Sequence, residues 1–196
     1  MKLTQTVAPT VEPILLADAR AWLAFQSGVT EDDPVLESVI TKVRSYIERR
    51  TNLKMITQTW TASLDYDQVT DEIYLPLIPL QSISSIVTYD DDGDTTTVDS
   101  SNYVVRPGQH PRLVLSPSGS WPGDMRQYDA MLITCVCGYG DAGSDVPADL
   151  VSVIEGTVLH QYSTKGMGVR ETISGQLISL PNEFVKAIKA YRVYPI

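Results

Sequence analysis

Apolar residues recur along this chain with two different periods, and the change from one to the other divides it. Leu15, Ala19, Trp22 and Leu23 share one face of a helix predicted over Leu16–Gln26, and Gly28 ends it. A second helix, over residues 33–52, has sharper signals. Asp32 or Asp33 caps it, and Pro34 takes the first helical position, where a missing N–H is harmless. Val35, Val39, Ile40, Val43, Tyr46 and Ile47 form its apolar stripe. Glu31, Asp32, Asp33 and Glu37 crowd the positive end of the helix dipole, and Arg44, Arg49 and Arg50 lie toward the negative end.

From residue 54 to 138 the period becomes two. Ile56, Gln58, Trp60 and Ala62 fall on one side of a strand over Met55–Leu64, with Thr57, Thr59, Thr61 and Ser63 on the other. Ile73–Leu75 is a short strand stopped by Pro76, and Pro79 keeps the LPLIPL link out of a central ladder. Ser82–Tyr89 and Thr95–Val98 flank the turn Asp90–Asp94 as a hairpin. Asn102–Arg106, Arg112–Leu115 and Ala130–Val136 add further strands, so a compact antiparallel sheet lies between helical ends.

Helical spacing returns after Pro147, with Leu150, Val151, Ile154, Val158 and Tyr162 on one side of a third helix over residues 147–163. The glycine-bearing stretch from Ser163 to Leu180 is long for a plain connection, and Val169–Ile173 with Gln176–Leu180 predict a projecting hairpin around Ser174 and Gly175. Pro181 opens a last amphipathic helix, with Phe184, Val185, Ile188 and Tyr191 apolar and Lys186 and Lys189 outside. The pattern as a whole predicts an α+β fold. It comprises an N-terminal helix pair, a central short-stranded antiparallel β region, a third helix, a projecting loop or hairpin and a C-terminal amphipathic helix. Residues 1–163 form the expected core, and 164–196 an extended arm with its docking helix.

Composition narrows the function classes. With 43% hydrophobic and 20% charged residues in 196, the chain reads as an ordinary soluble globular protein. No apolar run approaches a membrane span, and the N-terminus shows no secretory signal, so the chain reads as cytosolic in origin. The net charge of -9 is unevenly placed: residues 1–98 carry 7 Lys/Arg against 15 Asp/Glu, and residues 147–196 carry 5 against 4. Such an acidic chain is not built to grip phosphates.

Candidate chemistry is sparse. Asp90, Asp91, Asp92 and Asp94 look like a calcium loop but lack the closing bidentate glutamate, and a hairpin turn explains them. Cys135 and Cys137, two apart on one strand, point the same way and read as small buried hydrophobes, being badly placed for a disulfide and making only half a zinc site. His110 and His160 are the only histidines, and no nucleophile elbow marks a partner for either. The glycines of CGYGDAG lack the GK[ST] of a phosphate loop and serve as turns. No catalytic residue, metal or cofactor is expected.

Six segments, in order and spanning nearly the whole chain, carry a resemblance: LLADARAWL, YIERRTNLKMITQTW, LPLIPLQSISSIVTYDDDG, WPGD, CGYGDAGSDVPADL and AIKAYRV. Together they resemble the head-to-tail connector (adaptor) proteins of long-tailed phages and phage-derived gene transfer agents. The N-terminal lead, Met1–Pro13, departs from that pattern by its length.

The resemblance implies a virion structural protein and no enzyme. It implies a homo-oligomeric ring of about twelve copies around a closed axis, in which heterologous contacts repeat and DNA passes through the lumen without specific binding. The implied partners are the portal protein and a stopper or tail-completion protein, with no membrane. The implied location is the neck of a phage or phage-like particle, reached from the host cytoplasm during assembly. Portal docking is assigned by position to Phe184, Ile188, Tyr191, Arg192 and Tyr194, with Ile196 extending the contact, and an inter-subunit arm to Val169, Ser174 and Gly175. Other readings stay open here: a head-completion or tail terminator protein, and a small hydrolase using His110 or His160.

Overall fold

Leu36, Ile40, Val43 and Ile47 recur at helical spacing, and in the computed structural model all four are buried along one side of α2 (Asp33–Thr51). The structure describes residues 1–26, 28, 30–108, 110–165, 186–189 and 191. They form an α+β fold as expected, arranged in two compact units.

The first unit comprises Met1–Pro9 and Thr57–Tyr139. Its strands are β1 (Lys2–Val7), β2 (Gln58–Leu64), β3 (Glu72–Tyr74), β4 (Leu80–Tyr89), β5 (Thr95–Thr97), β6 (Tyr103–Arg106), β7 (Arg112–Leu115) and β8 (Met131–Cys137). Five make one antiparallel sheet in the order β1-β2-β8-β4-β5, and three make a second in the order β3-β7-β6. Ala62, Leu64, Ile86, Met131 and Ile133 from the larger sheet join Ile73 and Leu113 from the smaller in one buried cluster. The alternation read from the sequence is therefore the division between core and outer faces. Pairing on β4 begins only at Leu80, immediately after Pro79.

Two parts of this unit depart from the pattern. The strand predicted from Met55 starts at Gln58, because Met55 and Ile56 are buried in the second unit, where Ile56 makes a lone parallel bridge to Gly140. The N-terminal lead, to which the sequence assigned no element, contains edge strand β1. Its side chains are mostly exposed, so it has little hydrophobic signature. Polar contacts fix it: the Gln5 side-chain amide donates to Gln58 Oε1 at 2.8 Å, which also accepts from the Trp60 indole N–H at 2.9 Å.

The second unit comprises Thr10–Ile56 and the described residues from Gly140 onward. It contains α1 (Leu16–Trp22), α2 and α3 (Ala148–Lys165). Helix α1 ends four residues before the predicted Gln26: Leu23 is its C-cap and Ala24 has a positive φ of 53°. Ala19 is fully buried and Leu23 half-buried, but Leu15 and Trp22, expected on the same covered face, are exposed. Helix α2 keeps its predicted start with Asp32 as N-cap, yet no side-chain cap bond forms. Both candidate caps are taken elsewhere: the Asp32 carboxylate accepts from the Tyr162 hydroxyl at 2.7 Å, and Asp33 pairs with Arg20. Helix α3 buries Leu150, Ile154 and Val158, as the spacing predicts.

Candidate interaction surfaces

Polar chemistry in the second unit centres on one guanidinium. Arg44 is 7% exposed, and its Nε donates to Glu12 Oε2 at 2.7 Å while Nη1 donates to Glu48 Oε2 at 3.1 Å. The other oxygen of Glu48 accepts from the Met55 backbone N–H at 2.9 Å, and Glu12 Oε1 accepts from the Thr41 hydroxyl at 2.8 Å. Burial by itself lowers the pKa of Arg44, but the hydrogen bond to Glu12 and the charges of Glu48 and Glu12 outweigh it, and the net shift is upward. The network ties residues 10–13 and the exit of α2 to the helix body. Glu12 also lines an adjoining surface.

That surface is a groove of about 640 Å³ between residues 11–15, α1, the loop at 141–146 and the start of α3. Gly143 sits against the backbone of Pro13, where a Cβ would collide with the proline carbonyl. The groove leaves no mark in the sequence, since Leu15 and Trp22 match the spacing of core residues. Only the structure shows that nothing in the described chain covers them.

The other sequence candidates fall into plain roles. The Asp90 carboxylate accepts from the Asp94 N–H at 2.8 Å and the Asp90 carbonyl from the Gly93 N–H at 3.2 Å, so the acidic cluster is a hairpin turn. Among the described residues no three His, Cys, Asp or Glu side chains are placed to hold a metal ion. Cys135 and Cys137 are both fully buried in the core cluster, and burial pushes the Cys135 thiol up to about 12. His110 lies near the Tyr74 ring, with ring centroids 6.0 Å apart, and His160 is on α3, so they lie in different units. No described helix is long and apolar enough to cross a membrane.

Of the residues assigned to docking, two are described. Ile188 lies in a short helical stretch at residues 186–189 and is buried, at 5% exposure, with Lys186 and Lys189 exposed. Tyr191 is half-buried and donates its N–H to the Ile188 carbonyl at 3.2 Å. Phe184, Arg192, Tyr194, Ile196, Val169, Ser174 and Gly175 lie outside the described residues.

No protein family model and no curated protein matches the sequence. Solved structures do match its fold. A chain in the neck of an empty GTA particle, computed with C6 symmetry, superimposes with a TM-score of 0.80 at 20% identity, over 100% of this chain and 97% of that one. A chain in the virion of a native gene transfer agent particle gives 0.78 at 20% identity, with the same coverage. One in the neck of a native GTA particle, computed with C12 symmetry, gives 0.77 at 21% identity, again over 100% and 97%. The structural likeness runs end to end and agrees with the connector resemblance of the sequence: this chain has the fold of a protein found in the neck of gene transfer agent particles.

Proposed function

We propose that this chain is a structural component of the neck of a tailed phage or gene transfer agent particle, where it serves as the head-to-tail adaptor. The observation that carries the reading is the end-to-end match in fold, at TM-scores of 0.77–0.80, to chains of gene transfer agent particles. In this reading the chain works by shape and catalyses no reaction. Copies associate side by side by heterologous contacts around a closed axis, and the C12 symmetry applied to one matching neck fits a ring of that order. The acidic balance of the chain suits a wall that leaves DNA free to pass.

Within the ring, the C-terminal helix with Phe184, Ile188, Tyr191, Arg192 and Tyr194 meets the portal, and the segment with Val169, Ser174 and Gly175 reaches a neighbouring subunit. Because Ile188 is buried in the free chain, the helix docks either through its other residues or by turning Ile188 outward. The opposite face receives the stopper or tail-completion protein. Disrupting the gene in a particle-producing strain tests the role. Electron microscopy should then show DNA-filled heads and free tails that fail to join, whereas normally tailed particles would contradict it.

A further inference from the structure

Val11, Leu15 and Trp22 are 40%, 62% and 39% exposed, and all three line the groove of the second unit. Its buried floor includes Ile14 and Val146. Large apolar side chains left in water singly are ordinary, but several converging on one concave site mark a place that another molecule covers.

Charge says what kind of molecule. Every ionisable residue lining the groove is a carboxylate: Glu12, Asp18, Asp141 and Glu155. Glu12 is engaged by Arg44, while Asp18, Asp141 and Glu155 make no ion pair among the described residues. Carboxylates without an ion pair among the described residues, set around an apolar wall, attract a cationic partner and repel nucleic acid or anionic lipid. A small cation alone has no use for the exposed Leu15 and Trp22. A second copy of this chain is a poor occupant of this groove, because as folded the central apolar residue of its described basic C-terminal stretch, Ile188, is already buried.

We propose that this groove docks a cationic segment of a different protein, one that places a bulky apolar side chain between Leu15 and Trp22 and flanks it with Lys or Arg facing Asp18, Asp141 and Glu155. Such a segment buries the apolar surface and neutralises the rim together, the usual arrangement of an anchor within a charged border. The proposal stands on the groove and holds whether or not the chain is a neck protein.

The test uses the full chain and a fluorescein-labelled amphipathic lysine–leucine peptide as probe, followed by fluorescence anisotropy at physiological salt. Saturable binding is expected, weakened about tenfold or more by Leu15→Ser and by the pair Asp141→Lys and Glu155→Lys. A control pair at the hairpin turn, Asp91→Lys and Asp92→Lys, makes the same change in net charge and should leave binding intact. A peptide with its leucines replaced by serine should not bind. Leu15 is exposed, so its replacement leaves the fold in place. Lack of saturation, equal weakening by both charge pairs, or indifference to Leu15→Ser would overturn the proposal. So would sedimentation showing self-association that Leu15→Ser abolishes, which would make a second copy the occupant.

Discussion

Arg44 and Glu48 lie one helical turn apart on α2 and hydrogen-bond at 3.1 Å, with side chains only 9% and 7% exposed. A buried carboxylate left without its cation is far more costly than a broken surface pair. Arg44→Ala is therefore expected to destabilise the protein by about 3–5 kcal/mol, read from urea unfolding with an unchanged denaturant slope. A loss below about 1 kcal/mol would show that the pair behaves as a solvated one.

The two thiols give a second check. Burial holds the Cys135 thiol up to about 12, and Cys137 is equally enclosed. Neither should react with a thiol reagent at pH 8 over hours in the native protein, and both should react at once in denaturant. Rapid modification of one thiol in the folded protein would contradict the buried placement.

Gly143 lies where a side chain would strike the backbone of Pro13. Backbone cannot yield as a flexible side chain does, so Gly143→Ala should destabilise by about 1–3 kcal/mol. The same variant should disturb the groove, moving the emission of Trp22 in a protein whose Trp60 and Trp121 are replaced by Phe. Unchanged stability together with unchanged emission would mean that the loop stands clear of Pro13.

Alkaline pH should weaken the first unit in a defined direction. Burial raises the pKa of Tyr74, and burial with the charge of Asp99 raises that of Tyr103, both above the ordinary 10.0. The folded form thus favours the neutral phenol. That stabilisation is complete below pH 10.0 and is lost as pH climbs through the raised folded values. Thermal melts of Tyr74→Phe and Tyr103→Phe should lose stability less steeply above that point than the parent. Parallel curves would refute the assignment.

What the sequence conveyed depended on how strongly each element announces itself locally. Helix α2 was legible from Pro34 and the buried spacing of Ile40, Val43 and Ile47, and strands β4 and β8 from their alternation. Strand β1 was not, because Lys2, Thr4, Gln5 and Thr6 are exposed and its anchor is a hydrogen bond to the distant Gln58. Local capping signals point to Asp32 and Asp33 as caps of α2, whereas in the fold they serve Tyr162 and Arg20. The groove was hidden for a related reason: periodicity marks Leu15 and Trp22 as apolar but cannot say whether the chain itself covers them.

The most direct test of the neck assignment is a cryo-electron microscopy reconstruction of the head-to-tail junction in particles that carry this chain. The account predicts a closed ring at the neck whose subunit density accepts the described sheets and helices, with the side chains of Trp22, Trp60 and Trp121 in register. A neck fully explained by other proteins, with this chain absent or located elsewhere in the particle, would contradict it.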